Sequence, residues 1–185
     1  MGRYLIDPRA SRFTARAFAG GPLSAMGHNP SFAIRDVGGE VSLDPEGATE
    51  ASLTMTVKAG SLALTDNVSD KDRREIERSM QEDVLETARF PEIVYACPPG
   101  KASVARNGDG QFQISMNGDL TLHGVTRPHP VTARVFVSGD MLRGSAESSL
   151  RQSDFGIKLV SAAGGMLKVK EDVKLTFDFV ARKQD

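Results

Sequence analysis

The feature that most constrains this chain is an alternation of apolar and polar residues that returns in segment after segment. In residues 51–58 the apolar side chains Ala51, Leu53, Met55 and Val57 hold the odd positions, and polar side chains hold the even ones. With few exceptions the same alternation recurs in 112–117, 120–122, 131–138 and 173–180. Because successive side chains of a β-strand point to opposite faces, this pattern predicts strands with one dry and one solvated face, typical of antiparallel sheets.

Weaker alternation predicts further strands in 12–18, 32–41, 93–96 and 142–150. Turn-forming residues separate these segments. The strongest hairpin signal is 107–110, where Asn107, Gly108 and Gly110 tolerate the positive φ of tight turns. Strands that follow one another at short spacing favour a sandwich or a barrel over β–α–β units. We therefore expect an all-β fold.

One segment, 69–86, departs from this pattern and predicts a helix. It contains no glycine or proline, and Ile76, Met80 and Val84 recur at every fourth position on an otherwise charged surface. Ser69 or Asp70 can cap its first turn. We interpret it as a surface helix packed across one end or side of the sheet; a lid over a cavity is the alternative. Since no linker or repeat interrupts the chain, we expect a single domain over 1–185.

The charge balance argues against a nucleic-acid partner. Lys and Arg number 23, and Asp and Glu number 24, which gives a formal net charge of -1 and no overall field to attract phosphates. No apolar run approaches the roughly 18 residues of a membrane-spanning helix, and no signal-peptide pattern is present. The sequence as given therefore predicts a cytoplasmic protein; if a leader was removed, the periplasm is the alternative.

Few residues carry reactive chemistry, and the usual catalytic motifs are missing. The single cysteine, Cys97, has no base near it in sequence, so we interpret it as a small buried residue. The histidines are His28, His123 and His129, which could hold zinc only if their loops converged. His123 shares the strand parity of the polar Thr121, so we expect it to point to solvent. The residues between His123 and His129 are expected to form a turn, and we expect no metal and no cofactor.

Several short segments resemble, in order, those of the YceI-like family of lipocalin-like, polyisoprenoid-binding proteins. They are 4–7 (YLID) with 11–13 (SRF), 90–95 (FPEIVY), 117–128 (NGDLTLHGVTRP) and 151–157 (RQSDFGI). The resemblance extends over nearly the whole chain. It implies an extended, lipocalin-like antiparallel barrel of about eight strands, with a helix alongside and an elongated apolar cavity inside. Family members are associated with isoprenoid chains, quinone-like lipids or fatty-acid amides.

The residues expected to line such a pocket face inward in the predicted strands or lie in the family-like segments. They are Phe13, Phe32, Leu53, Met55, Val57, Phe112, Ile114, Met116, Leu120, Phe155, Phe177 and Phe179. His28 and Arg151 are the candidate polar groups at the pocket mouth, where an apolar pocket needs an orienting hydrogen bond.

The leading hypothesis is that the chain binds, transports or sequesters a long-chain apolar ligand without catalysing a reaction. A bound lipid or isoprenoid would then occupy the barrel, and a homodimer is a further candidate assembly. Two alternatives stay open. One is a small enzyme that acts on a hydrophobic substrate with His28 as its acid or base; the other is a metal- or haem-linked stress protein that uses the histidines.

Overall fold

The computed structural model describes residues 1–21, 29–162 and 167–184, so His28 lies outside the described residues. The strands are β1 (Gly2–Ile6), β2 (Arg12–Arg16), β3 (Ala19–Gly20), β4 (Ser31–Ile34), β5 (Val37–Leu43), β6 (Ala51–Lys58), β7 (Leu62–Leu64), β8 (Glu92–Cys97), β9 (Ala102–Gly108), β10 (Gln111–Leu122), β11 (Val125–Ser138), β12 (Met141–Arg151), β13 (Ser161–Ala162), β14 (Leu167–Val169) and β15 (Asp172–Lys183). The helix α1 (Asp70–Ser79) has Ser69 as its N-cap and continues through one π-helical turn, Met80–Val84. Short 3-10 turns lie at Ala59–Ser61 and Gln152–Phe155.

Eight strands close into an antiparallel barrel. Their order is β1-β5-β6-β8-β10-β11-β12-β15, and β15 pairs with β1 to complete the circle. β8 and β9 pair with successive parts of β10. The all-β prediction and the barrel of about eight strands are confirmed, and in β10 every second side chain is buried, as the alternation predicts.

Three of the barrel strands are interrupted, and the interruptions shape one end of the barrel. β15 pairs with β1 through its last residues and with β2 through 174–178. β2 then pairs with β4, and β4 with β7, so β2, β4 and β7 continue β1, β5 and β6 beyond their breaks. At the first break the Ser11 hydroxyl donates to the Asp7 carbonyl at 2.7 Å and accepts from the Val180 N–H at 3.0 Å.

The helix α1 lies along the edge of β7 that faces away from β4. Glu77 Oε1 accepts the Leu64 N–H at 2.9 Å. Arg73 donates to the Leu64 carbonyl and, at 2.8 Å, to the Asp66 carbonyl. Helix side chains therefore take the place of a strand partner for β7, because backbone N–H and C=O groups need partners when water is excluded. The segment predicted as helical is thus a surface helix packed at one end of the barrel.

The two halves of the barrel are packed differently. At the end away from α1, Leu43, Leu142 and Ala181 are completely buried and Tyr4 is 2% exposed. Cys97 is also buried and free, as predicted. The half of the barrel next to α1 is hollow, which alternation alone could not predict because packed cores and lined cavities share the same pattern.

The strands differ from the sequence prediction in several places: the short β3, β7, β13 and β14 were not predicted, and the predicted strand 32–41 is divided into β4 and β5. The alternation also did not predict β9, whose residues are all exposed or only partly buried and which ends in the polar hairpin at 107–110. The prediction of a turn between His123 and His129 was wrong, because β11 already begins at Val125. The turn consists of His123 and Gly124, whose φ angles of 52° and 72° are both left-handed.

Candidate ligand-binding cavity

The hollow half of the barrel contains three cavities in series, which we call the outer, middle and inner chambers. Their volumes are about 270, 150 and 60 Å³ respectively. The outer and middle chambers share wall residues, among them Phe32 and Met80. The middle and inner chambers share others, among them Met55 and Phe177. An elongated apolar space therefore leads from α1 into the barrel interior.

The outer chamber lies where α1 meets the ends of β2 and β4. The helical stripe of Ile76, Met80 and Val84 contributes to its wall together with Phe32. Lys168, whose side chain is exposed, lies at its rim. The segment 69–86 thus packs against the barrel, and its apolar residues form part of the wall of the outer chamber, while its role as a lid stays a prediction.

The inner chamber is the narrow end of the series. Phe13 and Phe177 meet edge to face in its wall with ring centroids 5.9 Å apart. Among the described residues that form this wall, only Tyr95 and His129 have nitrogen or oxygen in their side chains. Both contribute carbon atoms of their rings, so the surface of the inner chamber is entirely apolar.

Tyr95 lies opposite Leu120 in the β8–β10 ladder and is 5% exposed. Its hydroxyl is buried against the backbone of Gly118. Burial raises the pKa of Tyr95 to about 12. The ring fits because the inward position of β10 beneath it is Gly118, where a Cβ atom would come within 2.6 Å of the Tyr95 hydroxyl.

His129 faces Gly118 across the β10–β11 ladder, next to Tyr95. The ring centroids of Tyr95 and His129 are 6.5 Å apart, with the rings nearly perpendicular. His129 Nε2 forms a hydrogen bond of 3.0 Å with Ser148 Oγ on β12. Burial lowers the pKa of His129, because the interior disfavours the charged ring.

The His129–Ser148 bond spans a gap in the backbone ladder. β11 and β12 pair only through residues 133–138 of β11. Pro128 and Pro130 lie in the part without this pairing, and proline has no N–H to give to a ladder. A side-chain bond therefore joins the two strands beside the inner chamber.

His123 does not point to solvent, and that prediction was wrong. Its side chain is 12% exposed; Nε2 lies 2.5 Å from Glu86 Oε2, and Nδ1 lies 3.2 Å from the Phe155 carbonyl. The Phe90 ring packs against it at 4.5 Å. Strand parity does not apply because His123 follows the last residue of β10 and adopts a left-handed φ.

Nine of the predicted pocket residues line the chambers: Phe13, Phe32, Leu53, Met55, Val57, Met116, Leu120, Phe177 and Phe179. Phe112, Ile114 and Phe155 are buried in the core but do not contribute to these walls. Arg151 is exposed at the end of β12, beside the buried Gln152, which lines the outer and middle chambers. His28 lies outside the described residues, so its predicted role at the mouth stays a prediction.

Tyr95 and His129 were missed as pocket residues although the sequence carried a signal for both. Tyr95 has the same parity as Cys97 in its strand, and both are buried. His129 has the same parity as the inward Val131 and Ala133. The parity of His129 was overlooked because the two prolines next to it favoured a turn over a strand.

Within 1–21, 29–162 and 167–184, no group of three or more His, Cys, Asp or Glu side chains could hold a metal ion. His123 and His129 are bonded to different partners. The enzyme and metal alternatives also depend on His28 and stay untested predictions. In the same part of the chain, no helix is long and apolar enough to cross a membrane.

Comparison with known proteins gives a family-model match, described as the YceI-like domain, over residues 4–181. The protein YceI of Escherichia coli O6:H1 is 28% identical over 131 residues, which cover 68% of this chain and 62% of that protein. The match thus spans less than two thirds of that relative's length. A UPF0312 protein of Pseudomonas syringae pv. tomato is 28% identical over 97% of this chain and 87% of its own length.

Two solved structures have the same fold. BcnA of Burkholderia cenocepacia superposes with a TM-score of 0.70 at 18% identity, over 95% of this chain and 98% of its own. A polyisoprenoid binding domain from Saccharophagus degradans superposes with a TM-score of 0.72 at 15% identity, over the whole of both chains. At these identities the likeness establishes the barrel fold.

Proposed function

The chain belongs to the YceI-like family, and from this premise we propose that it binds a long apolar ligand inside the barrel. The observation that carries the proposal is the series of three chambers, whose walls are apolar from α1 to the inner end. The ligand class is a chain lipid, either an isoprenoid, a quinone-like molecule or a fatty-acid derivative. The protein acts as a carrier or a sequestering protein rather than as an enzyme.

The shape of the cavity suits a chain better than a compact ligand. The chambers follow one another and become smaller inward, from about 270 to about 60 Å³. Each CH₂ group moved from water into such a space contributes about 0.8 kcal/mol. Ten such groups would contribute about 8 kcal/mol, which corresponds to micromolar affinity before the entropy cost of association is subtracted.

Three methionines make the cavity adaptable. Met55, Met80 and Met116 line the chambers. Methionine side chains are unbranched and fill irregular gaps, so they can rearrange around chains of different branching. The structural likeness to a polyisoprenoid binding domain supports the same ligand class.

The proposal is tested by titrating the protein with N-phenyl-1-naphthylamine, a dye whose fluorescence rises in an apolar site. The test variant is Ala17→Phe, because Ala17 lines both the outer and the middle chamber. Filling this position with a ring should weaken dye binding at least tenfold. The matched control is Ala105→Phe, where the same substitution falls on an exposed position of β9.

Wild-type protein and Ala105→Phe should bind the dye equally. If the wild-type protein does not bind the dye, or if Ala17→Phe binds it as well as the control does, the interior is not the binding site. Native mass spectrometry of the purified protein gives an independent result, since a co-purifying chain lipid would identify the ligand directly.

A further inference from the structure

Gln152 is a buried polar residue in the wall of an apolar cavity. It is 6% exposed, and among the described residues, tyrosine and cysteine apart, it is the only buried one with a polar side chain. It lines both the outer and the middle chamber, and every other side chain in the described wall of the middle chamber is apolar. Gln152 therefore lies where these two chambers meet.

Three hydrogen bonds fix Gln152 in one position. Its backbone N–H donates to the Glu171 carbonyl at 2.9 Å, and its backbone carbonyl accepts from the Ile157 N–H at 3.2 Å. Its side-chain Nε2 donates to the Lys170 carbonyl at 3.0 Å. Because a backbone carbonyl can only accept, this last bond also identifies which end of the side-chain amide is the nitrogen. The amide oxygen, Oε1, is thus free of the bond to Lys170.

The amide oxygen of Gln152 opens to the cavity. It accepts no hydrogen bond from any residue within 1–21, 29–162 and 167–184. Tyr95 apart, no buried or half-buried residue of this part of the chain has an enclosed side-chain nitrogen or oxygen that lacks a partner. Oε1 is therefore accessible, and since Gln152 is buried in the walls of two chambers, the space that Oε1 meets is the cavity.

An acceptor in this position makes the site selective. A ligand chain that fills the two chambers displaces water from Oε1, and an acceptor that loses its water without gaining another donor weakens binding. Sites that pair with a hydroxyl or N–H group reject analogues without that group for this reason. The donor should be uncharged, because the described wall of the middle chamber contains no charged side chain and a desolvated charge needs a partner.

We propose that Gln152 determines ligand specificity: its Oε1 accepts a hydrogen bond from an uncharged hydroxyl or N–H group of the ligand. The apolar chain extends from this group through the middle chamber into the inner chamber, whose surface is entirely apolar. This inference rests on the proposed function and narrows its ligand class to chains that carry a neutral hydrogen-bond donor. Ethers and ketones of the same length leave Oε1 without a partner.

The experiment measures displacement of N-phenyl-1-naphthylamine by two isomers, 1-undecanol and 1-methoxydecane. Both are unbranched chains with one oxygen, but only 1-undecanol has a hydrogen-bond donor. The variant is Gln152→Met, which keeps an unbranched side chain of similar size and removes Oε1. The matched control is Ser153→Ala, because Ser153 bonds to Glu171 at 2.7 Å in the same turn but lies outside the chamber walls. The dissociation constant of the dye is measured for each protein, so displacement can be compared on one scale.

We expect Gln152→Met to weaken 1-undecanol about fivefold relative to 1-methoxydecane, the value of one hydrogen bond, while Ser153→Ala keeps the wild-type ratio of the two affinities. Loss of the bond to Lys170 changes the site for both isomers alike, so the ratio reports on Oε1. An unchanged ratio in Gln152→Met would overturn the role of Gln152, while dye binding still supports the proposed function. Absence of dye binding in the wild-type protein would overturn both.

The wild-type protein alone gives a second result that does not depend on the folding of a variant. Its affinity ratio of 1-undecanol to 1-methoxydecane should exceed the ratio of their partition coefficients from water into hexadecane, because hexadecane offers no acceptor to the hydroxyl. Equal ratios would mean that the hydroxyl finds no acceptor in the cavity, which would also overturn the role of Gln152.

Discussion

At the residue scale, the burial of Tyr95 makes the free energy of unfolding depend on pH in the alkaline range. Its pKa is about 12 in the folded protein and about 10 in an unfolded chain. Below pH 10 the Tyr95 hydroxyl is protonated in both the folded and the unfolded state, so its ionisation does not lower the free energy of unfolding there. Between pH 10 and 12 the unfolded state loses the proton first, and the free energy of unfolding falls by about 1.4 kcal/mol per pH unit.

We therefore expect the wild-type protein to lose about 2–3 kcal/mol more than Tyr95→Phe between pH 10 and 12. Urea unfolding of both proteins at a series of pH values measures this difference, and other titrating groups cancel in the comparison. Parallel curves for the two proteins would mean that the Tyr95 hydroxyl ionises in the folded state as easily as in water.

The sequence predicted the apolar residues of the cavity better than its polar ones. Strand parity is enough to place Met55 or Phe177 on the inner face, because burial of an apolar side chain requires no partner. The position of Tyr95 depends on the absence of a side chain at Gly118, which belongs to another strand. The inward orientation of the His123 side chain depends on its bond to Glu86 and on the left-handed φ of its backbone. Such conditions are set by tertiary contacts and leave little trace in the local pattern.

At the scale of elements, side-chain hydrogen bonds join α1, which forms part of the wall of the outer chamber, to β7. β7 has only three residues, and its Leu64 N–H is accepted by Glu77 of the helix. Replacing Glu77 by Ala should destabilise the protein by about 1 kcal/mol, because a partly buried donor loses its acceptor. The control is Glu75→Ala, since Glu75 is exposed on the same helix.

Urea unfolding gives the change in stability, and hydrogen exchange at the Leu64 amide reports the local contact. Exchange should accelerate in Glu77→Ala and stay unchanged in Glu75→Ala. Similar exchange at Leu64 in both variants would show that the helix is held to β7 by its apolar side chains alone.

Strands were predictable where apolar and polar residues alternate, whereas the breaks between them were not: the predicted strand 32–41, for example, is divided into β4 and β5. β10 and β15 alternate over most of their length, and each was recognised from the sequence. The break between β1 and β2 depends on Ser11, which bonds both to Asp7 and to Val180 at the other end of the chain. The breaks matter for the cavity because β7, unlike β6, does not pair with β8, and α1 takes the place of that neighbour.

At the scale of the whole molecule, the packed and the hollow parts of the barrel lie in different halves. Leu43, Leu142 and Ala181 are completely buried in the packed half, which therefore supports the fold without a ligand. The hollow half lies next to α1, and its chambers end at Tyr95 and His129. A cavity of this form has a fixed length, so the molecule should distinguish ligands by the length of their chains.

A series of 2-alkanones from C9 to C19 tests this expectation by displacement of the dye. If the ligand chain lies along the series of chambers, each added CH₂ should tighten binding about fourfold, the equivalent of 0.8 kcal/mol. The gain should end once the chain reaches the rim of the outer chamber near Lys168, because further CH₂ groups stay in water. In Ala17→Phe the gain should end at a shorter chain, since the ring narrows the passage between the outer and middle chambers, while Ala105→Phe should follow the wild-type curve. A gain that continues unchanged to the longest chain in all three proteins would contradict a cavity of fixed length, because it would mean that the chains bind along an open apolar surface.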